Sequence, residues 1–313
     1  MTLWISLLVA SLLAAPGMAD VPDRAEELTL RTYCLHTVSK VLLATGTSYG
    51  LVLYRLNDRG FPVRAGALEI PDAVTALAST DNLVFAGNGP RGLVVIDVSN
   101  PDAPAMVARL ETPGAVLRLL RLGGTLYAAM GTMGVGVIDV KDPKAPIFIK
   151  RIEVNGTTRD LCPGPRGIMV AAETFTWVMR PEAASPNVNS TGIMNPTAVA
   201  QQGEFLVGSG SVLLKVDAQG FVAGEGRTFP LGDEIRDLET FPGGVAVAAS
   251  SDGLVLLESD GPQNQMAARL DPGGACTRVH ARGTLLFATA DAYGFAVYDV
   301  KDPKQPVKIY PAE

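Results

Sequence analysis

Two histidines and three cysteines in 313 residues leave little material for metal or thiol chemistry. Cys34, Cys162 and Cys276 cannot all pair within one chain, and they are too few and too far apart for a disulfide scaffold or a zinc site. His36 and His280 have no carboxylate placed near them in sequence, a weak basis for a metal centre. Positive charge is also short: 26 basic residues against 32 acidic give a net charge of −6. That balance supplies neither the phosphate neutralisation a nucleic acid needs nor a polybasic patch for anionic membrane. No G-x-S-x-G elbow stands between a strand and a helix. No H-E-x-x-H occurs, and no phosphate-cradling glycine loop leads into a helix. Helical periodicity is missing too.

The one long apolar run is N-terminal. Leu3 to Ala15 is apolar, Pro16-Gly17 breaks it, and Gly17-Met18-Ala19 puts small residues where a signal peptidase reads. The run is shorter than the roughly 20 residues a membrane span needs. Residues 1–19 are therefore predicted to be a signal peptide cleaved before Asp20. No cysteine stands there to carry a lipid. This predicts a secreted, periplasmic or cell-surface protein with no integral membrane segment after cleavage.

What the chain does have is glycine (33), proline (22) and 47% hydrophobic residues, a composition suited to many short strands joined by tight turns. GLVVIDVSNPDAP, from Gly92 to Pro104, recurs as GVGVIDVKDPKAP from Gly134 to Pro146 and as GFAVYDVKDPKQP from Gly294 to Pro306. The first two copies start 42 residues apart, and the second and third 160 apart, four steps of 40. A β-rich run leading to a glycine that opens a second β-rich run can be followed through seven units. Their marker glycines are Gly50, Gly92, Gly134, Gly210, Gly253 and Gly294, and Phe175 opens the fourth unit without one. Residues 20–313 number 294, seven times 42. Turn signals cut a unit into four strands: Ala73 to Ala78, Leu83 to Ala86, Leu93 to Val98 and Ala105 to Leu110 in the second. Four short antiparallel strands at this period describe a blade, and the chain is predicted to be an all-β, seven-bladed β-propeller.

The Asp-Pro element reads as turn chemistry. Pro101, Pro143 and Pro303 preset φ, and Asp97, Asp139 and Asp299 end a strand where a carboxylate can satisfy free amides. The acids lack the dense oxygen spacing of a calcium loop. These I-D-V-[SK]-[ND]-P-x-x-P strings, each following a glycine and an apolar strand, resemble the LVIVD repeat of bacterial and archaeal secreted or cell-surface proteins. Three units match well. The other four keep the period and lose the Asp-Pro signature, with Met179-Arg180-Pro181 in the fourth. The resemblance implies a propeller outside the cytoplasm and brings no catalytic motif with it.

Function is expected where the copies differ, on the face away from the Asp-Pro turns. The first strand of each unit lines the channel, where Arg118, Arg159, Arg236 and Arg278 take near-equivalent places and Thr75 and Thr197 replace them in two units. Facing inward, the arginines would form a partial ring for a carboxylate, sulfate or phosphate. Alternatively they pair with aspartates of adjacent blades and tie the blades together. His36 and His280 align in the first and last units, as a metal pair, as a base beside Tyr293 and Arg278, or as half-buried histidines at the ring closure. Cys34 and Cys276 lie on the same two units, with a disulfide between them as one reading. The loops between second and third strands bring Tyr49, Arg91 and Tyr293 to the channel entrance, a surface for a peptide or a glycan. Two functions follow: a non-catalytic module binding a protein or anionic glycan without a cofactor, or a lyase acting on an acidic sugar with His280 and Tyr293 as base and acid. A purely structural envelope module is the third.

Overall fold

A computed structural model describes residues 31–164, 167–202, 204–216, 229–258, 265–290 and 294–311. The predicted signal peptide, residues 1–19, and Tyr293 lie outside the described residues.

The strand runs differ in burial by their place in a blade. Leu83–Gly87 and Leu93–Asp97, the second and third strands of blade 2, are nearly continuous apolar runs because neighbouring blades cover both faces. Ile147–Ile152, the outermost strand of blade 3, instead alternates exposed and covered residues. In blades 2 and 3 the third strand follows a glycine for a steric reason. Gly92 and Gly134 have φ of +86° and +75°, and a Cβ on either would lie 2.3 Å from the carbonyl oxygen of Leu110 or Ile152.

Among the described residues, 28 strands form seven four-stranded antiparallel sheets, each a meander of four consecutive strands. The chain is an all-β, seven-bladed β-propeller. In blade 2 the second, third and fourth strands fall within a residue of the sequence reading, and the first is Ala76–Thr80. The innermost strands of blades 1 to 7 are Thr32–Ser39, Ala76–Thr80, Arg118–Leu122, Asp160–Gly164, Pro196–Gln202, Asp237–Phe241 and Val279–Arg282. Blades 2, 3, 6 and 7 share a register shift between the third and outermost strands, leaving Val107, Ile149, Ala267 and Ile309 as the extra residue. A bulge there bends the edge strand and protects it from pairing with another chain.

The apolar interior is divided into seven clusters, one between each pair of neighbouring blades. Consecutive blades are also joined by main-chain bonds from the lead-in segment of one blade to the turn between the second and third strands of the previous one. Val74 N–H donates to Thr47 O at 3.0 Å, Val116 to Gly89 at 3.2 Å, Thr158 to Gly131 at 2.9 Å, Ile235 to Gly210 at 2.8 Å and Cys276 to Ser250 at 2.9 Å. Blade 7 is the last four strands and blade 1 the first four, so among the described residues no blade mixes the two ends of the chain.

Candidate functional site

Each innermost strand begins at the face that carries the turns between second and third strands. It runs toward the opposite face, where the Asp-Pro turns lie. Cross-strand pairing fixes one equivalent position near the start of all seven: Cys34, Ala76, Arg118, Asp160, Ala198, Asp237 and Arg278. The residues just after these are apolar (Leu35, Leu77, Leu119, Leu161, Val199, Leu238, Val279), and the next position returns to the polar side with His36, Cys162, Glu239 and His280. Strand periodicity thus stacks two rings on alternate apolar residues, the second completed by Ala78, Leu120 and Ala200.

The four-arginine ring is not what forms. Arg118 and Arg278 belong to the first polar ring, but its other two charged members are Asp160 and Asp237. Arg159 and Arg236 stand one residue earlier, and a one-residue offset in a strand turns a side chain to the other side. Both are exposed. Arg159 Nη1 donates to Ala172 O at 3.1 Å, and Arg236 pairs with Glu234 at 2.9 Å. Arg118 Nε lies 3.0 Å from Asp160 Oδ1, and its Nη2 donates to Asp237 Oδ1 across the channel. Each aspartate also bonds its own and the next blade: Asp160 accepts the N–H groups of Leu161 and Val199, both at 2.9 Å, and Asp237 those of Leu238 at 3.1 Å and Val279 at 3.0 Å. Burial pulls the Arg118 guanidinium down, but Asp160 and Asp237 outweigh it and hold it above its usual range. Burial pushes the Asp160 carboxyl up, against the opposing pull of Arg118. This cluster is a brace between blades 3, 4 and 6, with both carboxylates already occupied. Arg278 has weaker partners. Its Nη1 reaches Thr277 O at 3.3 Å and Arg236 O at 3.5 Å, and its buried Nε has no acceptor among the described residues.

A cavity of about 690 Å³ lies beyond this brace, lined by all seven innermost strands. It runs from Arg118, Asp160 and Asp237 past His36, Glu239 and His280 to Thr37, Ser79, Arg121, Gln201 and Thr240. Arg121 and Gln201 are exposed, so the wide end is on the Asp-Pro face. The cavity therefore opens toward the Asp-Pro turns, and the brace narrows the channel near the other face. Tyr49 and Arg91 stay outside the cavity. Tyr49 is 64% exposed, and Arg91 pairs with Asp72. The Asp-Pro residues hold their turns, Asp97, Asp139 and Asp299 accepting the N–H two residues on at 2.9, 2.8 and 3.0 Å.

His36 and His280 meet at the junction of blades 7 and 1, ring centroids 5.3 Å apart. His280 Nε2 takes the Thr37 N–H at 3.1 Å and lies 2.9 Å from the Thr37 hydroxyl. A backbone N–H can only donate, so Nε2 holds the lone pair and the ring proton is on Nδ1. His36 Nε2 lies 2.9 Å from Ser79 Oγ. Burial draws His36 down to about 4, and burial with His36 and Arg282 nearby draws His280 down to about 3. Among the described residues no three His, Cys, Asp or Glu side chains are placed to hold a metal ion. The Cys34–Cys276 bond is also corrected. Cys34 is buried between blades 1 and 2 and contacts Val74 O, whereas Cys276 is buried between blades 6 and 7 and contacts Arg278 O. Neither is in a disulfide, and burial pushes Cys34 up to about 12. Cys162 is likewise buried and in no disulfide.

Glu239 escaped the sequence reading. It follows Asp237 by two residues, so it faces the same side, and that spacing was the available signal. Burial, with Asp237 and Asp160 nearby, raises its carboxyl to about 8.

The LVIVD repeat family model matches residues 80–112, the second strand of blade 2 through to the end of its outermost strand. No curated protein sequence matches the chain. Solved structures share the architecture at low identity. A provisionally named 6-phosphogluconolactonase from Bacteroides uniformis ATCC 8492 superposes with a TM-score of 0.70 at 12% identity, over 84% of this chain and 92% of that one. The β-propeller domain of Myceliophteria thermophila Cps50 (Swd1) gives 0.67 at 12%, over 87% and 96%. The computationally designed Ika8 protein gives 0.62 at 15%, over 89% and 86%. At such identities the likeness is one of fold. The chain is a seven-bladed propeller, and its second blade carries an LVIVD repeat.

Proposed function

We propose that the protein works outside the cytoplasm as a non-catalytic propeller that holds a protein partner on the face carrying Tyr49, Arg91 and Met133. The observation that carries this reading is the state of His280. A general base needs a free lone pair within reach of substrate, and the His280 pair is taken by the Thr37 main chain. The Arg118 guanidinium nearby is held by both Asp160 and Asp237. The lyase reading therefore loses its base, and Tyr293, its acid, lies outside the described residues. On the loop face, Tyr49 and Met133 are exposed apolar side chains, of the kind that anchor protein interfaces. The N-terminal apolar run and small residues before Asp20 support export.

The test has two arms. Fractionation of expressing cells with mass spectrometry of the N-terminus is expected to find the chain outside the cytoplasm, beginning at Asp20; a cytoplasmic chain that retains Met1 overturns the location. Cross-linking through the loop face, followed by reconstitution with the purified partner, is expected to show binding lost in the double variant Tyr49→Ala/Arg91→Ala and kept in Glu239→Gln. Undiminished binding by the double variant, or capture of a glycan in place of a protein, overturns the proposed surface or occupant.

A further inference from the structure

The cavity on the Asp-Pro face is a second feature, independent of the loop face. At about 690 Å³ it has the size of a small-molecule site, and its walls combine apolar strand residues with a few polar groups. Its charges are uneven. Asp160, Asp237 and Glu239 line it against Arg118 and Arg121, while Arg278 lines only a separate chamber of about 50 Å³. Arg118 is committed to the two aspartates. Among the described residues, Glu239 has no ion-pair partner; only Arg118 and the Ala281 N–H favour its ionised form. His36 and His280, in the same layer, are neutral, so neither supplies the missing charge. Arg118 is held by the two aspartates and Arg121 stands at the exposed end of the chamber, so neither guanidinium pairs with the half-covered Glu239 carboxyl.

The geometry points to a binding site for a small organic cation, a primary ammonium seated on Glu239 with an apolar body along the Leu77, Leu119 and Leu161 side of the chamber. Thr240 and Gln201, also in the lining, supply neutral oxygens for the remaining N–H groups. The cost of an ionised Glu239 without ligand comes first from burial, then from Asp237 on its own strand and Asp160 of blade 4, with Arg118 of blade 3 and the Ala281 N–H of blade 7 opposing. A bound ammonium removes that cost, so Glu239 releases its proton as the ligand enters. Binding then strengthens as pH rises toward about 9, until the ammonium itself begins to lose its proton near 10.

The experiment is calorimetric titration of the purified chain with hexylamine, using hexanol and hexanoate as matched neutral and anionic probes. At about pH 9 hexylamine is expected to bind at least about tenfold more tightly than either control, the scale of one charge-assisted contact. Glu239→Gln, with its melting transition recorded to confirm folding, is expected to remove that margin. At about pH 7, buffers of differing ionisation heat are expected to show close to one proton released per hexylamine bound by the unsubstituted chain, a readout that does not depend on the variant folding. The site is overturned if hexanoate binds as well as hexylamine, if Glu239→Gln binds unchanged, or if no amine binds up to about 10 mM. Competition by calcium chloride with no amine preference would assign the chamber to an inorganic cation and likewise overturn it.

Discussion

The junction that closes the ring, between blades 7 and 1, differs from the six that follow the chain. The sequential junctions are mostly aliphatic: Val84, Leu51 and Ile96 between blades 1 and 2, Leu206, Val247 and Leu257 between blades 5 and 6. The closing junction is aromatic. Tyr54 meets Phe295 at 5.1 Å, Phe295 meets Tyr310 at 5.1 Å, Phe61 meets Tyr310 at 5.6 Å, and His280 lies 6.5 Å from Phe287. Every ring pair found among the described residues lies there. Adjacent blades are held close by a short connection, whereas Thr37 and His280 meet across 243 residues. Chain closure over such a span costs about 5 kcal/mol beyond a constant. Without a strand shared between first and last blades, side chains must offset that cost. Aromatic groups bury the most area per residue and add an edge-to-face term.

The largest expected effect comes from breaking the closure. Phe295, buried between Tyr54 and Tyr310, changed to alanine is expected to destabilise by about 3–5 kcal/mol in urea denaturation. Hydrogen exchange should then show blades 1 and 7 losing protection ahead of blades 3 and 4. Leu254→Ala, between blades 6 and 7, removes a similarly buried side chain within a sequential junction. Equal loss of protection around the ring in both variants would refute the distinction.

Next comes the polar brace, which strengthens sequential junctions and also crosses the channel. Asp160→Ala leaves Arg118 with one partner and the Leu161 and Val199 N–H groups without an acceptor. A loss of about 3 kcal/mol is expected, because stripping one member from a buried pair strands the other. Arg159→Ala, one residue away and exposed, should cost less than about 1 kcal/mol. If the two cost the same, the inward face of this strand has been assigned wrongly.

That pair also shows what the sequence can convey. The blades were legible because Gly92, Gly134 and the Asp-Pro turns act locally: a left-handed φ and a carboxylate two residues from the N–H it accepts recur wherever the same backbone recurs. The channel was only half legible. Arg159-Asp160 and Arg236-Asp237 present both signs in adjacent positions, and strand register, which the dipeptide does not contain, decides which side chain faces inward. Glu239 lay on the same side as Asp237 at a spacing of two, yet its significance rests on having no ion-pair partner among the described residues, a property of six other strands. The end at which the channel opens was hidden for a similar reason: the brace that narrows the opposite end joins blades 3, 4 and 6.

Acidity should separate the closure from the channel wall, because their groups titrate with opposite sign. The closing histidines have folded pKa values of about 4 and about 3, below the usual 6.5. Their contribution is complete above about 6.5 and is lost as pH falls toward 4 and 3. Glu239 has a folded value of about 8, above its usual 4.5, so its contribution is complete below 4.5 and is lost as pH rises through 8. Stability is expected to peak near about pH 6.5, with the acid limb, which carries two groups, the larger. In thermal melts, Glu239→Gln should flatten the alkaline limb and leave the acid limb. An unchanged alkaline limb would mean that Glu239 is not the group responsible.

The smallest effect is expected at the most conspicuous sequence feature. In the Lys141 to Pro146 turn of blade 3, Asp139 accepts the Lys141 N–H at 2.8 Å, Asp142 accepts the Lys144 N–H at 3.0 Å, and the Ala145 N–H bonds Asp142 O at 3.0 Å. None of these bonds involves Pro143, which has no N–H and contributes only a preset φ. Pro143→Ala therefore keeps the hydrogen bonds and gives the unfolded chain more freedom, at a cost of about 0.4–1 kcal/mol. None of these bonds leaves blade 3, so hydrogen exchange should stay uniform around the ring. A loss above about 2 kcal/mol, or selective opening of the closing junction, would show that turn rigidity is transmitted to blade packing and would undo the separation between them.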